Sequence, residues 1–276
     1  MTSVNTTEVF VCLKLSKKLI GSSPVWYFAM MYDMTTISHA EQQARWDKEH
    51  QNPNVLPQMN LTKPSSGVVK FLEWLKAQGK DSSELKGLEM CCGKGRSVIW
   101  LASQGIDMTG IDFSPNAIAE AKKRAEEAGV ANKATFLVQD ATLPYPIAPE
   151  SLDFAYDCFG STDIESEEGR KAALNNLTRA LKVGGFLMVY LLSTDDEFQK
   201  EMIAKSPGPD EGSFIHPVNG KYEKSFTEEE VKQFYSELEL RAFERVAKTD
   251  TFFGKEYHAN HIWAVFEKTD GSSPEG

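Results

Sequence analysis

Short apolar runs alternate with amphipathic segments through the middle of the chain. The apolar runs predict strands over 85–91, 107–111, 135–138, 152–156 and 184–192. The amphipathic segments between them predict helices over 96–104, 114–128 and 167–181. Strands that alternate with helices of this length are typical of a parallel sheet with helices on both faces, so the pattern predicts the α/β class.

The residues before the first strand have a different pattern. The segment 65–78 is amphipathic with helical spacing, whereas 38–50 is polar but compatible with a helix, and Pro53 and Pro57 then end it. Neither segment has a predicted place inside the sheet. We therefore expect 38–79 to form lid helices at the carboxyl ends of the strands, where open α/β sheets bind ligands. The alternative for 38–61 is a helix that packs permanently on the outside of the sheet.

The residues after the fifth strand predict an insertion and an edge pair. The segment 193–220 is rich in Pro and Gly, which predicts an insertion over the pocket. A short extended piece at 221–224 leads to a helix over 227–235 that begins with a Thr-x-x-Glu capping box. The apolar runs 239–248 and 261–268 predict two antiparallel strands at the sheet edge.

Composition narrows the class of protein. The chain has 276 residues with 30 basic and 40 acidic side chains, a net charge of −10, which argues against a binder of nucleic-acid backbones. Its four cysteines contain no CxxC pair, so we expect no metal site and a reducing, cytoplasmic location. No apolar run reaches the roughly 20 residues that span a bilayer, so no membrane association is expected.

The segment 88–96, Leu-Glu-Met-Cys-Cys-Gly-Lys-Gly-Arg, has the strongest chemical signal in the chain. Gly93 and Gly95 allow a ligand to approach the backbone, and the helix that follows offers free N–H groups to an anion. Asp112, at the end of the second strand, is placed to accept hydrogen bonds from a ribose diol. The spacing does not fit a phosphate-binding P-loop, and Val98 stands where a dinucleotide-binding fingerprint has a small residue.

These motifs resemble class I S-adenosylmethionine (SAM)-dependent methyltransferases, in particular the small-molecule branch with tellurite-resistance-type and thiopurine-type enzymes. The resemblance rests on the segments 45–47, 88–96, 110–125, 139–141, 153–157, 181–186 and 226–230, in this order along the chain. It implies a Rossmann-like, doubly wound sheet of seven strands in the order 3-2-1-4-5-7-6, with strand 7 antiparallel. The domain would span 38–268, between an N-terminal extension (1–37), expected to be poorly ordered, and a tail (269–276).

On the methionine side of the cofactor, the resemblance implies roles for five residues. Glu89 would anchor the loop and lie on the side of the methionyl ammonium, with Cys91, Gly93 and Gly95 along the methionine moiety. Asp157 would face the sulfonium and the acceptor, which makes it the candidate catalytic residue. Cys91 stands where the family usually has a glycine; a negative φ would make it tolerable, whereas a positive φ would cost about 1–3 kcal/mol.

On the nucleoside side, the resemblance implies five further contacts. Asp112 would hold the ribose hydroxyls, and Phe113 would lie against the adenine ring. Asp140 would accept a hydrogen bond from the exocyclic amine of adenine, next to the backbone amide of Ala141. Trp46 would belong to a lid over the cofactor, although an aromatic residue there is equally compatible with a place in the core.

The resemblance implies transfer of a methyl group from SAM to a small-molecule acceptor by in-line displacement, in a monomer or homodimer. Two alternatives stay open at this point. An NAD(P)-dependent oxidoreductase would use the same glycine-rich turn, although Val98 argues against it. A SAM-binding protein without turnover would account for the unusual Cys91.

Overall fold

Nine strands and seven helices are described in a computed structural model of the protein, which covers residues 37–51, 63–252 and 254–270. The strands are β1 (Lys86–Met90), β2 (Asp107–Asp112), β3 (Ala134–Val138), β4 (Leu152–Cys158), β5 (Leu181–Leu191), β6 (Ser213–Ile215), β7 (Tyr222–Lys224), β8 (Glu239–Phe252) and β9 (Lys255–Glu267). The helices are α1 (His39–Gln51), α2 (Ser66–Ala77), α3 (Arg96–Ser103), α4 (Pro115–Glu127), α5 (Glu167–Ala180), α6 (Glu197–Lys205) and α7 (Glu228–Phe234). Pro53, Pro57 and nearly all of the expected N-terminal extension and C-terminal tail lie outside the described residues.

The central sheet has seven strands in the order β3-β2-β1-β4-β5-β9-β8. Strands β1 to β5 are parallel, and β9 is antiparallel to β5. Strands β6 and β7 form a separate antiparallel pair. Counted without that pair, the order is 3-2-1-4-5-7-6 with the seventh strand antiparallel, so the predicted topology is confirmed.

The helix starts follow local capping chemistry. The Ser114 hydroxyl accepts a hydrogen bond from the Ala117 amide, and Pro115 occupies the first turn of α4. The predicted capping box at α7 is present in both directions, between Thr227 and Glu230. These caps fix where each helix begins relative to the strand before it.

Helices cover both faces of the sheet, as predicted. On one face α2, α3 and α4 pack against side chains that include Phe154, Tyr156 and Trp263. On the other face α5 and α7 pack against a second buried layer that includes Leu187 and Ile262. Because α2 contributes to the first of these layers, it belongs to the core, which differs from the expectation that all of 38–79 forms a lid.

Candidate functional site

A cavity of about 280 Å³ lies at the carboxyl ends of β1, β2, β3 and β4. The segments that follow these four strands form its floor and walls, and α1 forms its roof. This edge of an open, mainly parallel sheet is where ligands bind in such folds. Among the described residues that line the cavity, none comes from 193–220, so the expectation that this insertion covers the pocket is wrong; its α6 packs against β9 instead.

The loop between β1 and α3 adopts left-handed backbone conformations at Cys91 (φ 54°), Gly93 (φ 52°) and Gly95 (φ 72°). Of the two alternatives for Cys91, the structure therefore has the strained one. Gly95 is glycine for a packing reason, since a Cβ there would come within 2.6 Å of the Phe136 ring. Gly93 lines the cavity, and its amide donates a 2.9 Å hydrogen bond to Asp112 Oδ2.

Asp112 joins the loops that follow the first two strands. Its Oδ1 accepts a 2.9 Å hydrogen bond from the Ser114 amide, while Oδ2 accepts from Gly93. Burial raises the pKa of this carboxyl to about 6, although the two backbone amides favour the charged form. Each oxygen keeps acceptor capacity, and the side chain lines the cavity, so Asp112 can hold a diol.

Glu89 is buried at the floor of the cavity. Within the described part of the chain, its Oε2 has no hydrogen-bond partner. Burial raises the pKa of Glu89 to about 8, and the charge of Arg96 offsets only part of this effect. The carboxyl is thus mainly neutral at pH 7, and a cationic ligand group beside it would favour the ionised form.

Asp140 is held on all sides by protein donors. Its Oδ1 accepts 2.8 Å hydrogen bonds from both the amide and the hydroxyl of Thr142. Its Oδ2 contacts His39 Nε2 at 2.6 Å and Gln43 Nε2 at 2.8 Å, both on α1. Burial opposes ionisation of Asp140, but the hydrogen bonds from His39 and Thr142 outweigh it and lower the pKa.

His39 connects Asp140 to Glu165. Its Nδ1 lies 2.8 Å from Glu165 Oε1, so each ring nitrogen faces a carboxylate oxygen. Only the doubly protonated ring can donate to both oxygens. Burial disfavours this charged form, but the hydrogen bond to Asp140 and the charges of both carboxylates outweigh burial and raise the pKa of His39.

One face of α1 covers the length of the cavity. The residues His39, Gln43, Trp46 and His50 follow helical spacing and all line the cavity. Trp46 Nε1 and His50 Nδ1 are buried and have no partner in the described part of the chain. Burial, aided by the nearby charge of Lys94, lowers the pKa of His50 to about 4, so its ring is neutral at pH 7.

Polar contacts attach the other sides of α1 to the domain. Asp47 accepts a 2.5 Å hydrogen bond from the Ser114 hydroxyl on the side of α4. The buried Gln42 amide exchanges hydrogen bonds with the backbone of Tyr222 in β7. Glu49 pairs with Lys221 at 2.8 Å, and the Lys221 ammonium lies 3.3 Å from the centre of the Trp46 ring.

Most of the residues predicted for the site come together in this cavity. Those that line it are Trp46, Glu89, Cys91, Gly93, Asp112, Phe113, Asp140 and Ala141. Gly95 and Asp157 lie behind the lining. Asp157 is fully buried, accepts a 3.1 Å hydrogen bond from the Ser161 amide, and has its pKa raised to about 6 by burial. The role expected for Asp157 beside the sulfonium stays a prediction.

Sequence reasoning missed His39, Gln43, His50 and Glu165. The spacing of Trp46 and His50 by one helical turn is the signal that could have placed His50 beside the predicted lid residue. Glu165 follows β4 without any motif of its own.

Among the described residues, no group of three or more His, Cys, Asp or Glu side chains could hold a metal ion, and no helix is long and apolar enough to cross a bilayer.

Residues 88–185 match the family model of the methyltransferase domain. Residues 88–185 therefore carry a methyltransferase domain. Its matched part is 29% identical over 162 residues to a probable S-adenosyl-L-methionine-dependent methyltransferase, TehB, of Haemophilus influenzae, covering 57% of this chain and 47% of TehB. The chain spans 64% or less of the length of the first curated relatives it matches.

Solved structures share the fold of the methyltransferase domain. A SAM-dependent methyltransferase of Methanosarcina mazei matches with a TM-score of 0.62 and 23% identity, over 70% of this chain and 97% of that one. A Burkholderia thailandensis 1,6-didemethyltoxoflavin-N1-methyltransferase, with that compound and S-adenosylhomocysteine bound, matches with a TM-score of 0.60 and 14% identity, over 85% of this chain and 92% of that one. The predicted family and fold are confirmed, and SAM is the cofactor expected of this family.

Proposed function

We propose that the protein transfers a methyl group from SAM to a small-molecule acceptor. The observation that carries the proposal is a set of buried polar atoms around the glycine-rich loop that have no hydrogen-bond partner among the described residues: Glu89 Oε2, Trp46 Nε1 and His50 Nδ1. A buried polar atom without a partner is costly, so these atoms are suited to a polar ligand. SAM fits this donor set, since it carries an ammonium, a carboxylate and a ribose diol.

Three parts of the cofactor, namely the ribose, the methionyl ammonium and the adenine ring, would have matching groups on the cavity wall. Asp112 would hold the ribose hydroxyls, and Glu89 would ionise beside the methionyl ammonium. Phe113 and Ile164, which both line the cavity, would contact the faces of the adenine ring. Ala141 would offer its backbone amide to the edge of that ring.

SAM supplies, when bound, a methyl group on a good leaving group. The protein's contribution is then to align the acceptor with the methyl group and to exclude water, and such positioning supplies most of the rate gain. The roof helix α1 excludes water from above. His50 is neutral at pH 7 and its Nδ1 has no partner in the described part of the chain, so its ring can form a hydrogen bond with an acceptor group that carries a proton.

Three features favour a small acceptor. The cavity beneath α1 has a volume of only about 280 Å³. The net charge of −10 disfavours a nucleic-acid backbone. The end of β4 and the two residues after it read Asp-Cys-Phe-Gly, unlike the motif of enzymes that methylate amino groups of bases. The free thiols of Cys91, Cys92 and Cys158 support a reducing, cytoplasmic location.

Calorimetry with SAM and S-adenosylhomocysteine tests the cofactor, with NADH as the competing ligand. We expect both adenosyl ligands to bind and NADH not to bind. Asp112→Ala should weaken binding by about 2–3 kcal/mol, roughly 30- to 150-fold, because two ribose hydrogen bonds are lost. Asp107→Ala, at the exposed other end of β2, is the matched control and should leave the affinity unchanged.

Incubation with methyl-labelled SAM and a fractionated metabolite extract tests the transfer. We expect label in a small-molecule fraction with the wild-type protein and a strong decrease with Asp112→Ala. Tight SAM binding without any labelled product would support the SAM-binding protein without turnover, and NADH binding without SAM binding would support the oxidoreductase.

A further inference from the structure

The carboxylate of Asp140, predicted to bind the adenine amine, has no acceptor capacity left. A carboxylate offers about four lone-pair positions. Thr142 occupies two on Oδ1, and His39 and Gln43 occupy two on Oδ2. As long as α1 lies over the cavity, an amine could reach Asp140 only by displacing one of these donors.

Glu165, in contrast to Asp140, has a carboxylate oxygen that can still accept hydrogen bonds. Its Oε1 contacts His39 Nδ1 at 2.8 Å, whereas its Oε2 is buried and has no partner within the described part of the chain. The side chain is 10% exposed and lines the same cavity as Asp140. A buried carboxylate oxygen without a donor loses its hydration and gains nothing in exchange, so it is poised for a ligand N–H.

We propose that Glu165 Oε2, rather than Asp140, accepts the hydrogen bond from the exocyclic amine of the purine ring, and that Asp140 instead holds the roof helix through His39 and Gln43. This inference rests on the proposed function, because the purine is that of SAM. Ile164, the neighbour of Glu165 in the chain, also lines the cavity, so this segment is available to contact the ring.

His39 connects the attachment of α1 with the recognition of the purine ring. It bridges Asp140 and Glu165 Oε1, so the same imidazolium that fastens α1 also orients the Glu165 carboxylate, whose other oxygen would face the purine. A purine with a carbonyl oxygen in place of the amine would present an acceptor to Glu165 Oε2, and two acceptors repel. Glu165 is therefore a specificity-determining residue for the amino form of the ring.

Calorimetry with S-adenosylhomocysteine and its deaminated analogue, S-inosylhomocysteine, tests this assignment without knowledge of the acceptor. The wild-type protein should prefer the amino form by at least about tenfold, the value of one charge-assisted hydrogen bond. In Glu165→Gln the side-chain amide can donate to the carbonyl form, so the preference should fall below about threefold or reverse. Asp140→Asn is the matched control: it should weaken both ligands alike and keep the preference.

The outcomes separate the inference from the proposed function. If the wild-type protein binds neither ligand, the proposed function fails. If it binds both equally, or if the preference disappears in Asp140→Asn and persists in Glu165→Gln, the assignment to Glu165 is wrong. If Glu165→Gln does not fold, a crystal structure of the wild-type protein with S-adenosylhomocysteine tests the assignment instead. The adenine amine nitrogen should then lie within about 3.2 Å of Glu165 Oε2 and not of Asp140, and the reverse would show that the assignment is wrong.

Discussion

The two helices that precede the sheet, α1 and α2, attach to the domain in opposite ways. The residues of α2 that face the sheet are Val68, Phe71, Leu72 and Leu75, each at most 3% exposed. The buried residues of α1 are Gln42 and His50, and its contacts with α4 and β7 are hydrogen bonds and ion pairs. The sequence separation between the two helices is short, yet α2 belongs to the core and α1 belongs to the site.

This difference has an energetic consequence. Burial of apolar side chains contributes about 1.5–3 kcal/mol for each large residue, and water cannot replace it. A hydrogen bond between protein groups contributes only about 0.5–1.5 kcal/mol net, because water takes over when the contact opens. We therefore infer that α1 can leave the cavity at far lower cost than α2 can leave the core, as a lid must.

The largest expected effect is on the free energy of unfolding, from a substitution in α2. Phe71→Ala should lower the free energy of unfolding by about 3–5 kcal/mol, because Phe71 is 1% exposed and packs against Phe154 and Trp74. Trp46→Ala, an aromatic truncation in α1, is the matched variant and should cost less than about 1 kcal/mol. Chemical denaturation measures both, and equal losses would show that α1 is as much a part of the core as α2.

A smaller effect is expected on the affinity for the ligand, from a substitution in α1. Trp46→Ala should weaken binding of S-adenosylhomocysteine roughly five- to tenfold, because the largest side chain that α1 places over the cavity is removed. It should also lower turnover more than it lowers stability. Glu73→Ala, on the exposed side of α2, should change neither quantity. Unchanged affinity in the Trp46 variant, measured by calorimetry, would mean that the ring serves only to cover Lys221.

The smallest effect is a pH dependence confined to α1. The pKa of His39 is raised above 6.5 when α1 is in place, so its contribution to docking is complete below that pH and is lost as the pH rises through the docked pKa. Hydrogen exchange of α1, corrected for the intrinsic rate, should be slower at pH 6 than at pH 8.5. The groups around His39 are Asp140, Glu165 and Gln43.

The control for this pH dependence is His39→Gln, which should remove it, while α2 should show none in either protein. A pH dependence that persists in the variant would assign the titration to another group.

The contrast between these helices also explains what the sequence could and could not predict. The helix α2 and the strands β1 to β5 were predictable because apolar side chains at regular spacing show which face is buried. The glycine-rich loop and Asp112 were predictable because their backbone and position at a strand end are tied to one kind of ligand.

The roof of the site was only partly predictable. Contacts such as His39 with Asp140 join polar residues far apart in the chain, and polar pairs of this kind leave no periodic pattern. The strained backbone of Cys91 was foreseen only as one of two alternatives, because φ depends on the loop and not on the residue type. The long extension of β8 and β9 beyond the predicted runs is mostly polar, so no apolar pattern marked it.

Hydrogen exchange with and without S-adenosylhomocysteine distinguishes a lid helix from a core helix, with α2 as an internal reference. If α1 is a lid and α2 is core, amides of His39–Gln51 should gain protection when the ligand binds, and those of Ser66–Ala77 should exchange slowly in both states. Exchange in α1 that is equally slow with and without bound ligand would show that α1 is not a lid but as permanent a part of the fold as α2.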